Sequence, residues 1–178
     1  MSKEMGAQIL GIVLSDLSPR KGSTELVREM KEYGMNVASV YTDIKSCVEM
    51  DSGEDFAQLH FDHNIETIEE IKRDGRKVIS VIDVDRNVLN STEMKERGRK
   101  SDLILLESRE GIEKKISYIS PFLNEKTGVS GKINAVNIGS IIEFRPGFVD
   151  VSSSLELCPG KKDMEKVREF FEVIQYGR

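Results

Sequence analysis

The chain has 178 residues, 38% hydrophobic and 32% charged, with 4 Pro and no Trp. That length can bury the core of one domain without metal or disulfide staples, and no apolar run approaches the roughly 18 residues of a membrane span. A net charge of −5, from 26 basic and 31 acidic residues, argues against nucleic acid as the main partner.

Short apolar runs alternate with charged, helix-period stretches along the whole length. A strand is predicted over residues 9–14 (ILGIVL), then a helix in STELVREMKEYG and a strand over 36–42. Next come a strand over 56–61 (FAQLHF), a helix in NIETIEEIKRDG and a strand over 77–84 (KVISVIDV). Ser23 and Asn64 are good N-caps with Glu25 and Glu66 in the first turns, and Gly34 and Gly75 stop those helices. The second half reads as a strand over 102–108, a helix in GIEKKISYISPFLN, and strands over 132–138 (KINAVNI) and 148–154 (FVDVSSS). In the closing helix Met164, Val167, Phe170, Phe171 and Ile174 recur at three- and four-residue steps, giving one apolar stripe. Strands apolar on both faces, alternating with helices, predict a parallel sheet in one domain, residues 1–178. About seven strands fit either an open doubly wound sheet or a (β/α) barrel.

Both architectures bind ligands at the carboxyl ends of their strands. Gln58 and His60 share a strand face there, as do Asp150, Ser152 and Ser154. Glu107 ends an otherwise apolar strand and is a general-acid candidate; the plainer reading pairs it with Arg109 or water. Arg20, behind Ser18 and Pro19 on the loop after the first strand, suits a carboxylate or phosphate, or simply faces solvent. A lone strand histidine such as His60 is more often a hydrogen-bonded core residue than a catalyst. Ser152, Ser153 and Ser154, between a strand and a helix N-terminus, form either a phosphate cradle or a capping turn. Cys47 and Cys158 fit no paired ligand spacing, and His60 and His63 lack a third partner, so no metal is expected. The N-terminal ten residues lack the apolar stretch of a secretory signal, so a cytoplasmic protein with free thiols is expected.

The order of these segments resembles phosphoribosylanthranilate isomerase. The similarity is most specific in FRPGFVDVSSSLELCPGKKD, where Arg145, Pro146, Asp150, Val151, Ser152, Ser153, Glu156, Pro159, Gly160, Lys162 and Asp163 fall in step with the family. The resemblance implies a TIM-type (β/α) barrel, apparently lacking the first strand and most of the first helix, of which only residues 3–8 match. It implies an Amadori rearrangement in tryptophan biosynthesis on a small phosphorylated metabolite, without a cofactor. It assigns Glu107 as the acid and Arg20, Gln58, His60 and Asp150 to the substrate. Ser152, Ser153 and Ser154 go to its phosphate.

The chain also departs from the family. The family's base is a Cys in an opening K-x-C-G strand, which lies ahead of the stretch that matches, and its acid is Asp rather than Glu. REGIEKKIS stands where the family has GGTG, Val136 and Asn137 are matched to its paired phosphate-loop glycines, and Ser154 replaces a Gly. These departures lead us to expect an isomerase-like protein of impaired activity, with Cys158 on the last loop either a substitute base or, as the plainer reading, a small buried thiol. The alternative is an inactive paralogue that binds a phosphorylated ligand or a protein. A homodimer covering the side left open by the missing strand is expected.

Overall fold

The computed structural model describes residues 4–50 and 52–176. Lys3 lies outside the described residues; 4–6 form a turn and 7–8 are irregular, where the sequence predicts the end of a helix. Among the described residues seven parallel strands alternate with helices, the number read from the sequence, and the chain resolves into two compact units. The first is Met1–Val81 with Arg99–Asp102; the second is Ile82–Gly98 with Leu103–Arg178. No described helix is long and apolar enough to cross a membrane.

The first unit runs β1 (Ile9–Val13), α1 (Thr24–Glu32), β2 (Asn36–Tyr41), α2 (Ile44–Glu49), β3 (Phe56–Leu59), α3 (Ile65–Lys72) and most of β4 (Lys77–Asp83). β1, β2, β3 and β4 pair in that order, all parallel. The helices start where short polar side chains replace missing backbone partners. Ser23 accepts from Leu26 N at 3.2 Å, Asp43 from Ser46 N at 2.8 Å, and Asn64 from Thr67 N at 3.0 Å. Gly34 and Gly75 end α1 and α3 with φ of 73° and 91°, a region costly for residues bearing a Cβ. Val27, Val37, Leu59, Ile68, Ile71 and Val78 fill the layer between sheet and helices.

One device occurs twice in this unit. Lys31 and Lys72 each open the pattern K-x-x-G-x-x-V, which ends at Val37 and Val78. Asp55 receives the Val37 N–H on Oδ2 at 2.9 Å, donates its own N–H to the Val37 carbonyl at 2.9 Å, and meets Lys31 Nζ at 3.0 Å. Asp102 repeats this: Val78 N to Oδ2 at 2.9 Å, its own N–H to Val78 O at 3.0 Å, and Lys72 Nζ at 2.7 Å. Both valines are fully buried, so the two carboxylates satisfy amides that have no route to water. A second polar knot surrounds Glu54. Tyr41 OH donates to its carboxylate at 2.9 Å, Ser52 donates to it as well, and Arg76 lies 3.2 Å away. Arg76 also donates to the Cys47 carbonyl at 2.7 Å. Burial pushes the Cys47 thiol up to about 12, so it stays protonated.

The second unit holds α4 (Ser91–Lys100, to Gly98), β5 (Leu103–Glu107), α5 (Ile116–Ile119) between two 3₁₀ turns, β6 (Thr127–Ser130) and α6 (Ile138–Ile142). It closes with β7 (Val149–Asp150), the antiparallel hairpin β8 (Glu156–Cys158) and β9 (Lys161–Lys162), and α7 (Met164–Tyr176). β5, β6 and β7 pair in parallel. Val167 and Phe170 carry the buried stripe of α7, whereas Met164 at its start is 38% exposed.

Two expected strands need correction. Residues 132–138 are not a strand: β6 ends at Ser130, and Gly131 and Lys132 turn the chain with φ of 123° and 52°. Asn134 then receives the amides of Val136 and Asn137 at 2.8 and 3.2 Å, which starts α6. The strand expected over 148–154 stops at Asp150, because Ser153–Leu155 winds into a 3₁₀ turn.

Replacing Asp102 or Asp55 by Ala leaves a buried amide unpaired. Each change is expected to lower unfolding stability by about 1–3 kcal/mol in a urea titration, against less than about 1 kcal/mol for Lys100→Ala at the exposed Glu69 pair. Equal effects would refute the role given to the two carboxylates. The thiols should also differ: in native protein a disulfide reagent should titrate the exposed Cys158 rapidly and reach Cys47 only after unfolding.

Candidate active site

In the first unit, the loop after β1 is a run of tight turns. Ser18 N donates to Ser15 O at 3.2 Å, Lys21 N to Ser18 O at 3.1 Å, and Gly22 N back to Val13 O at 2.8 Å. A Cβ on Gly22 would lie 2.6 Å from Ile12 Cγ2, so the loop returns to the strand only with glycine there. Arg20 is held half-buried in this loop, its amide donating to Ser18 Oγ at 3.1 Å.

At the carboxyl end of β3, Gln58 Nε2 donates to His60 Nε2 at 2.8 Å, which leaves the imidazole proton on Nδ1. The expected Gln58–His60 pair is thus brought together. His63, considered in the sequence only as a metal ligand, has another task. Its Nδ1–H donates to Phe61 O at 2.7 Å and its Nε2 accepts from the buried Ser80 hydroxyl at 2.8 Å, tying the loop after β3 to β4. The pairing of a loop histidine with a strand serine leaves no spacing signal by which sequence could have found it.

In the second unit, register aligns the polar ends of three strands. Glu107 of β5 lies opposite Ser130 of β6, and Ser130 opposite Asp150 of β7. Ile104 points toward α4, where a Cβ on Gly98 would sit 3.9 Å from its Cδ1. Alternation therefore puts Leu105 and Glu107 on the opposite sheet face. A row of a carboxylate, a hydroxyl and a second carboxylate at strand ends can hold a polyhydroxy compound and exchange protons with it.

Two loops meet beside that row. Ser154 Oγ donates to the carbonyl of Ile133, joining the turn after β7 to the turn after β6. Ser152 and Ser153 are exposed, and Lys162 Nζ donates to Ser152 O at 2.9 Å. The residues directly after β6 are Gly131 and Lys132, so these, rather than Val136 and Asn137, occupy the glycine-pair position. Val136 is 94% exposed and Asn137 belongs to the α6 cap. A Cβ on Gly131 would lie 1.9 Å from Ser108 O, so glycine is required there. The N-terminus of α7 is not an open anion site: Asp163 Oδ1 accepts from Glu165 N at 3.0 Å and Lys166 N at 3.3 Å. Cys158 sits exposed in the β8–β9 hairpin, so the reading as a small buried thiol does not hold. Among the described residues no group of three His, Cys, Asp or Glu is arranged to hold a metal ion.

Comparison with known proteins gives this arrangement its context. The family model for N-(5'-phosphoribosyl)anthranilate (PRA) isomerase matches residues 2–173. The curated N-(5'-phosphoribosyl)anthranilate isomerase of Thermoplasma volcanium is 43% identical over 176 residues, 98% of this chain and 89% of that protein. The solved phosphoribosyl anthranilate isomerase of Thermus thermophilus has the same fold, with TM-score 0.82 at 22% identity, covering 99% of this chain and 92% of that one. A phosphoribosyl anthranilate isomerase solved with reduced 1-(o-carboxyphenylamino)-1-deoxyribulose 5-phosphate is 26% identical with TM-score 0.78, covering 98% and 91%. The strand-and-helix rhythm is therefore that of the TIM-type barrels of these enzymes, and the chain belongs to the N-(5'-phosphoribosyl)anthranilate isomerase family.

Proposed function

We propose that this protein catalyses the Amadori rearrangement of N-(5'-phosphoribosyl)anthranilate, the isomerase step of tryptophan biosynthesis. The observation that carries this reading is the in-register row of Glu107, Ser130 and Asp150 at the ends of β5, β6 and β7, in a chain of this family. Glu107 is the general acid: it protonates the ribose ring oxygen, and the ring opens to a Schiff base. Loss of the C2′ proton then gives an enolamine that tautomerises to the ketone. Asp150 holds sugar hydroxyls. In the first unit, the family resemblance gives Arg20 to a carboxylate and Gln58 and His60 to the substrate. Ser152, Ser153 and Ser154, with the amides of the Gly131 turn, take the phosphate.

The expectation of impairment loses part of its basis, since a glycine, Gly131, stands directly after β6, where a Cβ would meet Ser108 O. The inactive-paralogue alternative has no observation in its favour. For the C2′ proton, Cys47 is excluded by its protonated, buried thiol, and Cys158 is the thiol proposed as acceptor. Self-association as a homodimer belongs to the same proposal; light scattering at the mass of a 20.1 kDa monomer would remove it.

The decisive assay follows the decay of anthranilate fluorescence with fresh substrate, alongside rescue of a tryptophan auxotroph lacking its own isomerase. Glu107→Gln is expected to lower kcat by about 10²–10⁴ with little change in KM. Arg20→Ala should act mainly on KM. A wild-type chain without turnover would overturn the reading, and Cys158→Ser at full activity would remove that thiol from the mechanism.

A further inference from the structure

A general acid on a strand end must present its proton at one place in every turnover, and β5 alone does not fix Glu107. The residue after it, Ser108, is fully buried and held from several sides. Its N–H donates to Ser130 O at 3.0 Å, and its hydroxyl accepts from Gly111 N at 3.2 Å. The same hydroxyl donates to Asp85 Oδ1 at 2.8 Å. The other oxygen of Asp85 accepts the next two amides, Arg109 N at 2.8 Å and Glu110 N at 3.2 Å. Lys115 Nζ stands 3.6 Å from Oδ1. On the other side of the strand end, Val84 N donates to Glu107 O at 2.9 Å, so the segment that carries Asp85 also grips Glu107 directly.

We propose that Asp85 is the positioning residue for Glu107: its carboxylate gathers Ser108, Arg109 and Glu110 and so fixes the exit of β5 from which the acid projects. The inference rests on the reading of Glu107 as general acid. Asp85 suits the task because one carboxylate with two oxygens can take three donors that no strand partner satisfies. The Asp85 side chain is only 13% exposed. Burial opposes its ionisation, but the Ser108 hydroxyl, the amides of Glu110 and Arg109 and the Lys115 charge hold its carboxyl below the usual range. Asp85 is set in turn by Asp83, whose Oδ1 accepts the Asp85 amide at 2.9 Å. In a stretch where the family has glycines, Arg109 and Glu110 acquire a fixed path from this carboxylate instead.

The test measures kcat and KM for Asp85→Ala and Asp85→Asn, alone and in the Glu107→Gln background. A displacement of about 1 Å at a reacting group costs on the order of 10²-fold, so Asp85→Ala should lower kcat by about 10- to 100-fold with KM within about twofold. Asp85→Asn, which keeps one acceptor, should lose less. In Glu107→Gln, adding Asp85→Ala should change kcat less than about twofold, because the group it positions is already gone. Thermal melting separates folding from positioning, and if Asp85→Ala does not fold, Ser108→Ala carries the same comparison. Wild-type kcat in the folded Asp85 variants, or an equal loss in both backgrounds, overturns the positioning role while leaving Glu107 as acid. Full activity in Glu107→Gln overturns the functional reading itself.

Discussion

A parallel strand begins and ends with backbone amides that its neighbours do not reach, and a buried amide without a partner is costly. This protein meets that constraint with carboxylates. At the entry side of the strands Asp55 and Asp102 each bracket one buried valine of the preceding strand through both its N–H and its carbonyl, and each is matched to a lysine of a helix. At the exit of β5 the same chemistry recurs in Asp85, which collects a hydroxyl and two amides of the following loop. The entry carboxylates hold the sheet. The exit carboxylate holds the loop that follows Glu107.

That division matches how (β/α) folds separate stability from function, with packing fixed beneath the strands and catalytic groups on the loops above them. Glu107, Ser130 and Asp150 inherit their alignment from strand register, which costs nothing beyond the pairing itself. What register cannot supply is the direction of the chain after the strand. Here that direction comes from Gly131, pressed against Ser108, and from Asp85. A glutamate has one more rotatable bond than an aspartate, and a rigid strand exit limits where the Glu107 side chain can go.

Much of this was legible in the sequence. The first five strands and the helices α1, α3 and α7 announce themselves by Val/Ile/Leu runs, by Ser23 and Asn64 caps and by glycine stops. β6 hid because it is only four residues long, TGVS, with Gly128 and Ser130 between and after its strand formers Thr127 and Val129; a Cβ on Gly128 would meet the Phe148 ring at 2.5 Å. The neighbouring short run with Ile133, Ala135, Val136 and Ile138 mimics a strand by composition and draws the glycine pair out of place. α4 was missed because only Met94 is buried; the Asn90 cap and the Glu93–Arg97 pair sustain it instead. Of the candidate row, Glu107 and Asp150 stand out in the sequence as polar groups closing apolar runs, whereas Ser130 does not, because β6 itself is not legible. Asp85, His63 and Ser80 do not stand out either, because their roles lie in contacts between loops that no periodicity records. The repeated K-x-x-G-x-x-V was a signal in plain view for the Asp55 and Asp102 brackets.

The claim that carboxylates fix the strand ends is tested most directly by residue-resolved amide hydrogen exchange on wild type and Asp85→Ala. Arg109 and Glu110 are expected to be protected in the wild type and to exchange much faster in the variant, while Val37 and Val78, bracketed by Asp55 and Asp102, keep their protection. Unchanged protection at Arg109 and Glu110 without Asp85 would contradict it.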